Sequence, residues 1–261
     1  MPLIFLPDLR LNAELSGPVN APPVVLLHAL GTNQRLWDRV VAQMPRHCIL
    51  RADMRGHGLS DVPPGPYAMG ALIHDVERLI EHFALRDVVV VGLSIGGMIA
   101  QGLATKRLDL VRAMVLSNTA ARIGTPDQWQ TRIAAVQAGG LEAVADATLE
   151  RWFGRRWRDL PHLPDMRAML LATPVEGWMG AAAAIAGTDF YTPTAALTLP
   201  TLAIAGANDG STPPDLVRET ADLIRGSRFA LIRGAGHLPM LEKPEDYATL
   251  LADFMKSIGH V

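Results

Sequence analysis

A single cysteine, Cys48, cannot form an internal disulfide. Lying beside Ile49 and Leu50 in an apolar run, it reads as a small core residue rather than a zinc or redox site. An excess of charge is also missing. The 24 basic and 26 acidic residues are mixed along the chain and leave a formal net charge of −2, so there is no basic field to hold a phosphate backbone and nucleic acid is excluded as a partner. Long apolar runs are absent, because Pro22-Pro23 and scattered charges cut every candidate short of the roughly eighteen residues a membrane span needs. The start, Met1 to Asp8, is apolar but lacks a basic flank and is broken by prolines, which argues against a signal peptide and for a cytoplasmic protein. There is no repeat of fixed period and no low-complexity tract; the run Ala181 to Ala184 reads as helix.

Apolar content, by contrast, is ample for a buried core: 49% of 261 residues, enough for one large α/β domain or two small ones. Short continuous apolar runs at 24–27, 48–50, 88–91, 113–116, 202–205 and 229–232 predict parallel strands covered on both faces. Helical patterns at 69–83, 97–106, 214–224 and 245–258 lie between or after them, so the expected sheet is doubly wound. The alternation fails once. Residues 120–191 carry helix-like pieces at 126–138, 141–152, 165–171 and 176–186, a pattern that predicts a helical cap inserted after about the sixth strand. The expected division is therefore a core of 1–119 and 192–261 under a cap of 120–191. Trp129, Trp152, Trp157 and Trp178 fall inside that cap, either filling its own core or lining a pocket.

Gly92-Leu93-Ser94-Ile95-Gly96 directly follows the valine run and directly precedes a helical pattern. A strand that turns at once into a helix leaves no room beside the turn residue, so glycines two before and two after it relieve the crowding and leave Ser94 exposed on an elbow. With 23 Gly and 7 Ser in the chain, a bare GxSxG is expected about 0.05 times by chance. Ser94 is the candidate nucleophile. A serine hydroxyl needs a base, and the base needs an orienting acid. His237, in Gly234-Ala235-Gly236-His237-Leu238-Pro239 after the last strand, is the best placed of eight histidines. His260 sits in a terminal tail, and His47, His74, His82 and His162 lie in helical or surface-like contexts. For the acid, Asp209 follows strand 202–205 and completes the chain order Ser, Asp, His; its rival Asp215 opens a helix, where an acid is expected merely to cap.

An acyl-transfer serine also needs donors for an oxyanion. The backbone N–H of Ile95, at a helix N-terminus, is one candidate. The N–H of Leu30, in His28-Ala29-Leu30-Gly31 after strand 24–27, is the other. His28 reads as a packing and hydrogen-bonding residue that shapes this loop.

In order, HALG, Asp53 to Ser60 (DMRGHGLS), GLSIGG, GANDG and GAGH resemble the α/β-hydrolase superfamily over nearly the whole chain. The resemblance implies a mostly parallel eight-stranded sheet flanked by helices and a triad of Ser94, Asp209 and His237. HALG stands where HG is common, and because the donor is a backbone amide the Ala29 side chain should matter little. Gly92 to Gln101, Ser117 to Thr125 and the cap are similar, more narrowly, to 3-oxoadipate enol-lactone hydrolases of aromatic catabolism. That likeness implies attack of Ser94 on a lactone carbonyl with no metal or organic cofactor, and a substrate carboxylate that needs a cation. The candidates are Arg122, just after strand 113–116, and Arg132, one helical turn from Trp129; each could instead be a solvated cap residue. Trp129 and Trp152 are the candidate aromatic walls. A carboxylesterase, a carbon–carbon bond hydrolase of ring-cleavage products and a cofactor-free perhydrolase would keep the same triad, whereas serine at the elbow speaks against haloalkane dehalogenase chemistry. A ligand-binding receptor on a hydrolase scaffold is the non-enzymatic alternative.

Overall fold

The computed structural model describes residues 3–154 and 160–261; Trp157 lies outside the described residues. Its sheet comprises β1 (Leu3–Leu6), β2 (Leu9–Ser16), β3 (Pro23–Leu27), β4 (Cys48–Ala52), β5 (Val88–Leu93), β6 (Val111–Ser117), β7 (Thr201–Gly206) and β8 (Arg228–Ile232). Their spatial order is β1-β2-β4-β3-β5-β6-β7-β8. β1 and β2 run antiparallel to their neighbours, and every pair from β4 to β8 is parallel. Six strands lie where the apolar runs predict them, each extended by one to three residues. The sequence reading omits β1 and β2. β2 alternates apolar residues with Arg10, Asn12 and Glu14, as suits an antiparallel strand near the sheet edge rather than one covered on both faces.

β5 is the centre of the core. Its four consecutive valines are fully buried, and β-branched side chains suit a pleated surface covered on both sides. Burying each contributes roughly 1.5–3 kcal/mol. The sheet is flanked by α1 (Asp38–Val41), α2 (Met69–His82) and α3 (Ile95–Lys106). Between β6 and β7 lie α4 (Pro126–Gly139), α5 (Glu142–Phe153), α6 (Leu163–Leu171), α7 (Val175–Ala186) and the short α8 (Tyr191–Ala195). α9 (Pro214–Leu223), α10 (Pro239–Glu242) and α11 (Pro244–Ser257) complete the chain. No single helix among the described residues is long and apolar enough to cross a membrane.

Local chemistry sets the helix boundaries between β6 and β7. Thr125 caps α4 with a reciprocal Thr125–Gln128 capping box, and Pro126 occupies the first turn. α7 approaches the loop after β4 through glycines. A Cβ on Gly177 would strike the backbone of Gly56, and one on Gly180 would lie 2.7 Å from the Tyr67 ring. The run Ala181 to Ala184 lies within α7 and is helical, as its composition predicts.

β3 and β5 are adjacent, but the chain leaves β3 for β4 on one side and returns to β5 on the other. That reversal makes a crevice at the carboxyl ends of β3 and β5, the place where open α/β sheets hold ligands. The Ser94 elbow follows β5, and the Leu30 loop follows β3.

Candidate active site

Ser94 joins β5 to α3 with φ 56° and ψ −118°, a left-handed conformation that a residue with a Cβ adopts only at a cost. Two hydrogen bonds hold it there: Ser94 N–H donates to Ser117 O at 3.0 Å, and Thr119 Oγ1 donates to Ser94 O at 2.6 Å. The flanking glycines are sterically required. A Cβ on Gly92 would drive into the Gly96 carbonyl, and one on Gly96 would strike the Leu27 carbonyl and lie 2.9 Å from His28 O. Gly96 thus lets the start of α3 abut the loop after β3.

Asp209, beyond β7, and His237, beyond β8, meet at 2.8 Å between Oδ2 and Nδ1. Both side chains are almost wholly buried. The same Oδ2 accepts from Asn118 Nδ2 at 2.8 Å and Thr212 Oγ1 at 2.7 Å, while Oδ1 accepts from the amides of Ser211 and Thr212 at 2.7 and 3.1 Å. Burial alone would push this carboxyl up, but His237 and the donors outweigh it and hold the carboxyl below its ordinary value. Asp209 is therefore a fixed acceptor for the Nδ1 proton of His237, which leaves Nε2 free to take a proton. The rival Asp215 sits in the first turn of α9, as a helix-opening acid.

His237 lines a cleft with Ser94 and Leu30. Among the described residues no hydrogen bond is donated by the Leu30 or the Ile95 amide, the two candidate oxyanion donors. The remaining wall comes largely from the helices between β6 and β7: Trp129 and Arg132 of α4, Val144, Thr148, Arg151 and Trp152 of α5, and Trp178 and Ile185 of α7. Trp129, Trp152 and Trp178 all line this cleft.

Two guanidinium groups enter this tryptophan-rich wall. Arg132 lies over the Trp129 ring, 4.7 Å from its centroid, and Arg151 donates to Thr148 Oγ1 at 3.1 Å. Among the described residues neither forms an ion pair. Burial draws the pKa of Arg132 down; burial, together with the Arg132 charge, draws Arg151 down to about 10, against a partial offset from Glu150. Arg122 requires a correction. Its side chain is half exposed, 3.5 Å from Asp189 and stacked over Tyr191 at 6.0 Å, and it does not line the cleft. It follows β6 as expected, but the chain turns so that Ile123, the next residue, faces inward.

The sequence profile of the alpha/beta hydrolase fold matches residues 22–244. The chain belongs to the α/β-hydrolase family. It is 32% identical to 3-oxoadipate enol-lactonase 1 of Acinetobacter baylyi over 251 residues, 95% of this chain and 94% of that protein. Among solved structures, the enol-lactonase of Burkholderia xenovorans LB400 superposes with a TM-score of 0.93 at 32% identity, covering 98% of this chain and 100% of that one. A thermophilic esterase from Thermogutta terrifontis, solved with malate bound, superposes with a TM-score of 0.90 at 29% identity over 99% of this chain and 97% of its own. This α/β hydrolase is accordingly an enzyme similar to enol-lactonases and esterases.

Several residues that build the candidate site belong to no motif in the sequence. Asn118, at φ 45°, bridges the acid and base loops by donating to Asp209 Oδ2 and to Gly236 O at 3.2 Å. Glu242 of α10 accepts from Gly236 N–H at 2.8 Å; burial raises its carboxyl to about 7, against the pull of the Gly236 and Leu238 amides. Arg151 was missed because either face of a helix can carry an arginine. A polar residue directly after a strand end, as Asn118 is, was the one available hint.

Proposed function

We propose that this α/β hydrolase opens 3-oxoadipate enol-lactone to 3-oxoadipate, a step of the β-ketoadipate route of aromatic catabolism, through a Ser94–His237–Asp209 acyl-enzyme. Residues 120–191 serve as the cap that shapes the substrate pocket. The observation that carries this reading is the composition of one cleft: a candidate nucleophile, a base already bonded to its acid, and two arginines in a tryptophan-rich wall. The similarity to enol-lactonases supports the substrate.

In the first step Ser94 Oγ bonds to the lactone carbonyl carbon and its proton passes to His237 Nε2. The tetrahedral oxyanion is held by Leu30 N–H and Ile95 N–H. Collapse breaks the ring C–O bond; the enolate oxygen leaves, takes the proton from His237 and tautomerises to the ketone. Asp209 stabilises the imidazolium throughout. Water, deprotonated by His237, then attacks the acyl carbon and releases the second carboxylic acid and Ser94. Arg132 and Arg151 bind the carboxylate already on the substrate, with Trp129 and Trp152 packing its carbon skeleton. The similar esterase from Thermogutta terrifontis was solved with malate bound, and malate, like the proposed substrate, is a small carboxylic acid.

The test is ring opening of freshly generated 3-oxoadipate enol-lactone, compared with neutral aryl esters and with ring-cleavage diketones. The lactone should have the highest kcat/KM. Equal turnover of neutral esters would leave a general carboxylesterase, and preference for the diketones would assign carbon–carbon bond hydrolysis.

A further inference from the structure

Two buried histidines outside the triad make a reciprocal contact. His28 follows β3 and His57 lies in the loop after β4; both are fully buried, with ring centroids 5.4 Å apart. His28 Nε2 accepts the Met54 amide of the β4 loop at 2.9 Å, and His57 Nε2 accepts the Gly31 amide of the β3 loop at 3.1 Å. Each loop therefore lends an imidazole to the other's backbone. The opposite nitrogens face carbonyls: His28 Nδ1 faces Ala29 O at 2.9 Å, and His57 Nδ1 faces Arg55 O at 3.3 Å. An amide N–H needs a bare nitrogen and a carbonyl needs a protonated one, so both rings are neutral with the proton on Nδ1.

The consequence falls on Leu30. Its N–H shares a planar trans peptide with Ala29 C=O, so fixing one end of that unit fixes the other. Ala29 O receives His28 Nδ1–H, Thr32 N–H at 3.2 Å and Thr32 Oγ1–H at 2.9 Å. The next peptide plane, Leu30 to Gly31, is held by His57 through the Gly31 amide, at a glycine with φ 76°. The turn is thus anchored on both sides of the Leu30 amide.

We propose that His28 and His57 are positioning residues that lock the two peptide planes flanking Leu30 and so aim its N–H at the oxyanion. The proposal rests on the reading of Ser94 as an acyl-transfer nucleophile. Neither ring touches substrate. Their shared requirement is to stay uncharged, and burial supplies it: the His28 pKa is lowered, and burial together with His28 lowers His57 to about 3. Asp53, the nearby acid that pulls His28 the other way, is occupied by donors from Gln34 N–H, Leu59 N–H and Asn12 Nδ2.

His57→Leu and His57→Gln are compared on an aryl acetate, together with the affinity of an arylboronic acid that adds to the serine as a tetrahedral anion. Leucine offers Gly31 no acceptor. It should lower kcat on the order of 10- to 100-fold at nearly constant KM, less than the loss on removing a donor outright, and weaken the boronate by a similar factor. Glutamine, with an amide oxygen for Gly31 N–H and an NH2 for Arg55 O, should restore kcat to within a few fold. Wild-type kcat in His57→Leu, equal losses in both variants, or a loss confined to KM would overturn the proposal. Should the leucine variant not fold, the 15N shifts of the wild-type rings decide: an Nε2–H tautomer for either histidine at neutral pH rejects the clasp. Ser94→Ala in the same assay separates the two ideas, since turnover that survives it removes the nucleophile reading itself.

Discussion

Ser94 pays in backbone strain for its place on the elbow, where it is buried at the cleft rather than exposed as the elbow predicts, and that strain is measurable apart from activity. Ser94→Ala should abolish ester and lactone hydrolysis with an unchanged melting temperature, because the Cβ and its φ of 56° remain. Ser94→Gly should be equally inactive yet more stable by about 1 kcal/mol in chemical denaturation, since glycine enters this region without penalty. Equal stabilities of the two variants would show that the elbow is unstrained. At the arginines, Arg132→Met or Arg151→Met should raise KM for the carboxylate-bearing lactone by about tenfold or more while sparing neutral esters, in line with a charge-assisted hydrogen bond of roughly 1.5–3 kcal/mol. Parallel losses on both substrates would mean structural damage instead. At this scale the triad candidates were legible, because each sits in a glycine-bearing loop directly after an apolar strand. The arginines were only half legible: the sequence places Arg122 and Arg132 near the cap but not the direction in which either points, and Arg151 enters the cleft only through the rotation of α5.

The C-terminal end of α5 is clamped to both loops of the acid–base pair. Gly210 N–H, one residue beyond Asp209, donates to Arg151 O at 2.9 Å, and the His237 amide donates to Trp152 O at 2.6 Å. These carbonyls belong to the last turn of the helix, where they have no partner within it. The residues that line the cleft with side chains therefore hold the acid and base loops with their backbones. Gly236 makes the approach possible, since a Cβ there would run into Trp152 O, whereas one on Gly210 would stand 3.2 Å from Arg151. Gly236→Ala should consequently cost more stability than Gly210→Ala and reduce kcat in the folded fraction. The reverse ranking, by melting temperature and steady-state kinetics, would show that the clamp is not what seats His237. The helices of this region were legible to within a few residues from periodicity and capping residues. Their hydrogen bonds to the β7 and β8 loops were not, because backbone carbonyls leave no trace in side-chain identity.

Over the whole molecule, acid stability follows from which buried groups stay uncharged. His57 and His28 have folded pKa values below their unfolded value near 6.5, so below that pH the unfolded chain binds protons that the fold refuses, and stability falls as pH falls. Glu242 acts oppositely. Its carboxyl, raised to about 7 from 4.5, favours the fold at low pH, and that contribution is lost as pH rises from 4.5 through 7. Between about pH 4.5 and 6.5 His57 and Glu242 act in opposite directions, and the lowered His28 tips the balance toward a loss of stability as pH falls. Below about pH 4.5, Glu77 adds to the loss: its burial, which alone would raise it, is overcome by Lys106, Arg107 and His74, which hold it at about 2. Denaturant midpoints should therefore decline from pH 6.5 and more steeply below 4.5, and a flat profile from 7 to 4 would contradict these assignments. The sequence by itself determined the alternating strands and helices, the elbow, and the order of the candidate nucleophile, acid and base, because each is a local matter of side-chain period, glycine spacing and the residues just past a strand end. Only the tertiary structure decided which arginines face the cleft, how α5 grips the Asp209 and His237 loops, and how His28 and His57 hold Leu30. Those depend on the rotation of helices and the direction of backbone amides between segments far apart in the chain, and packing alone sets them.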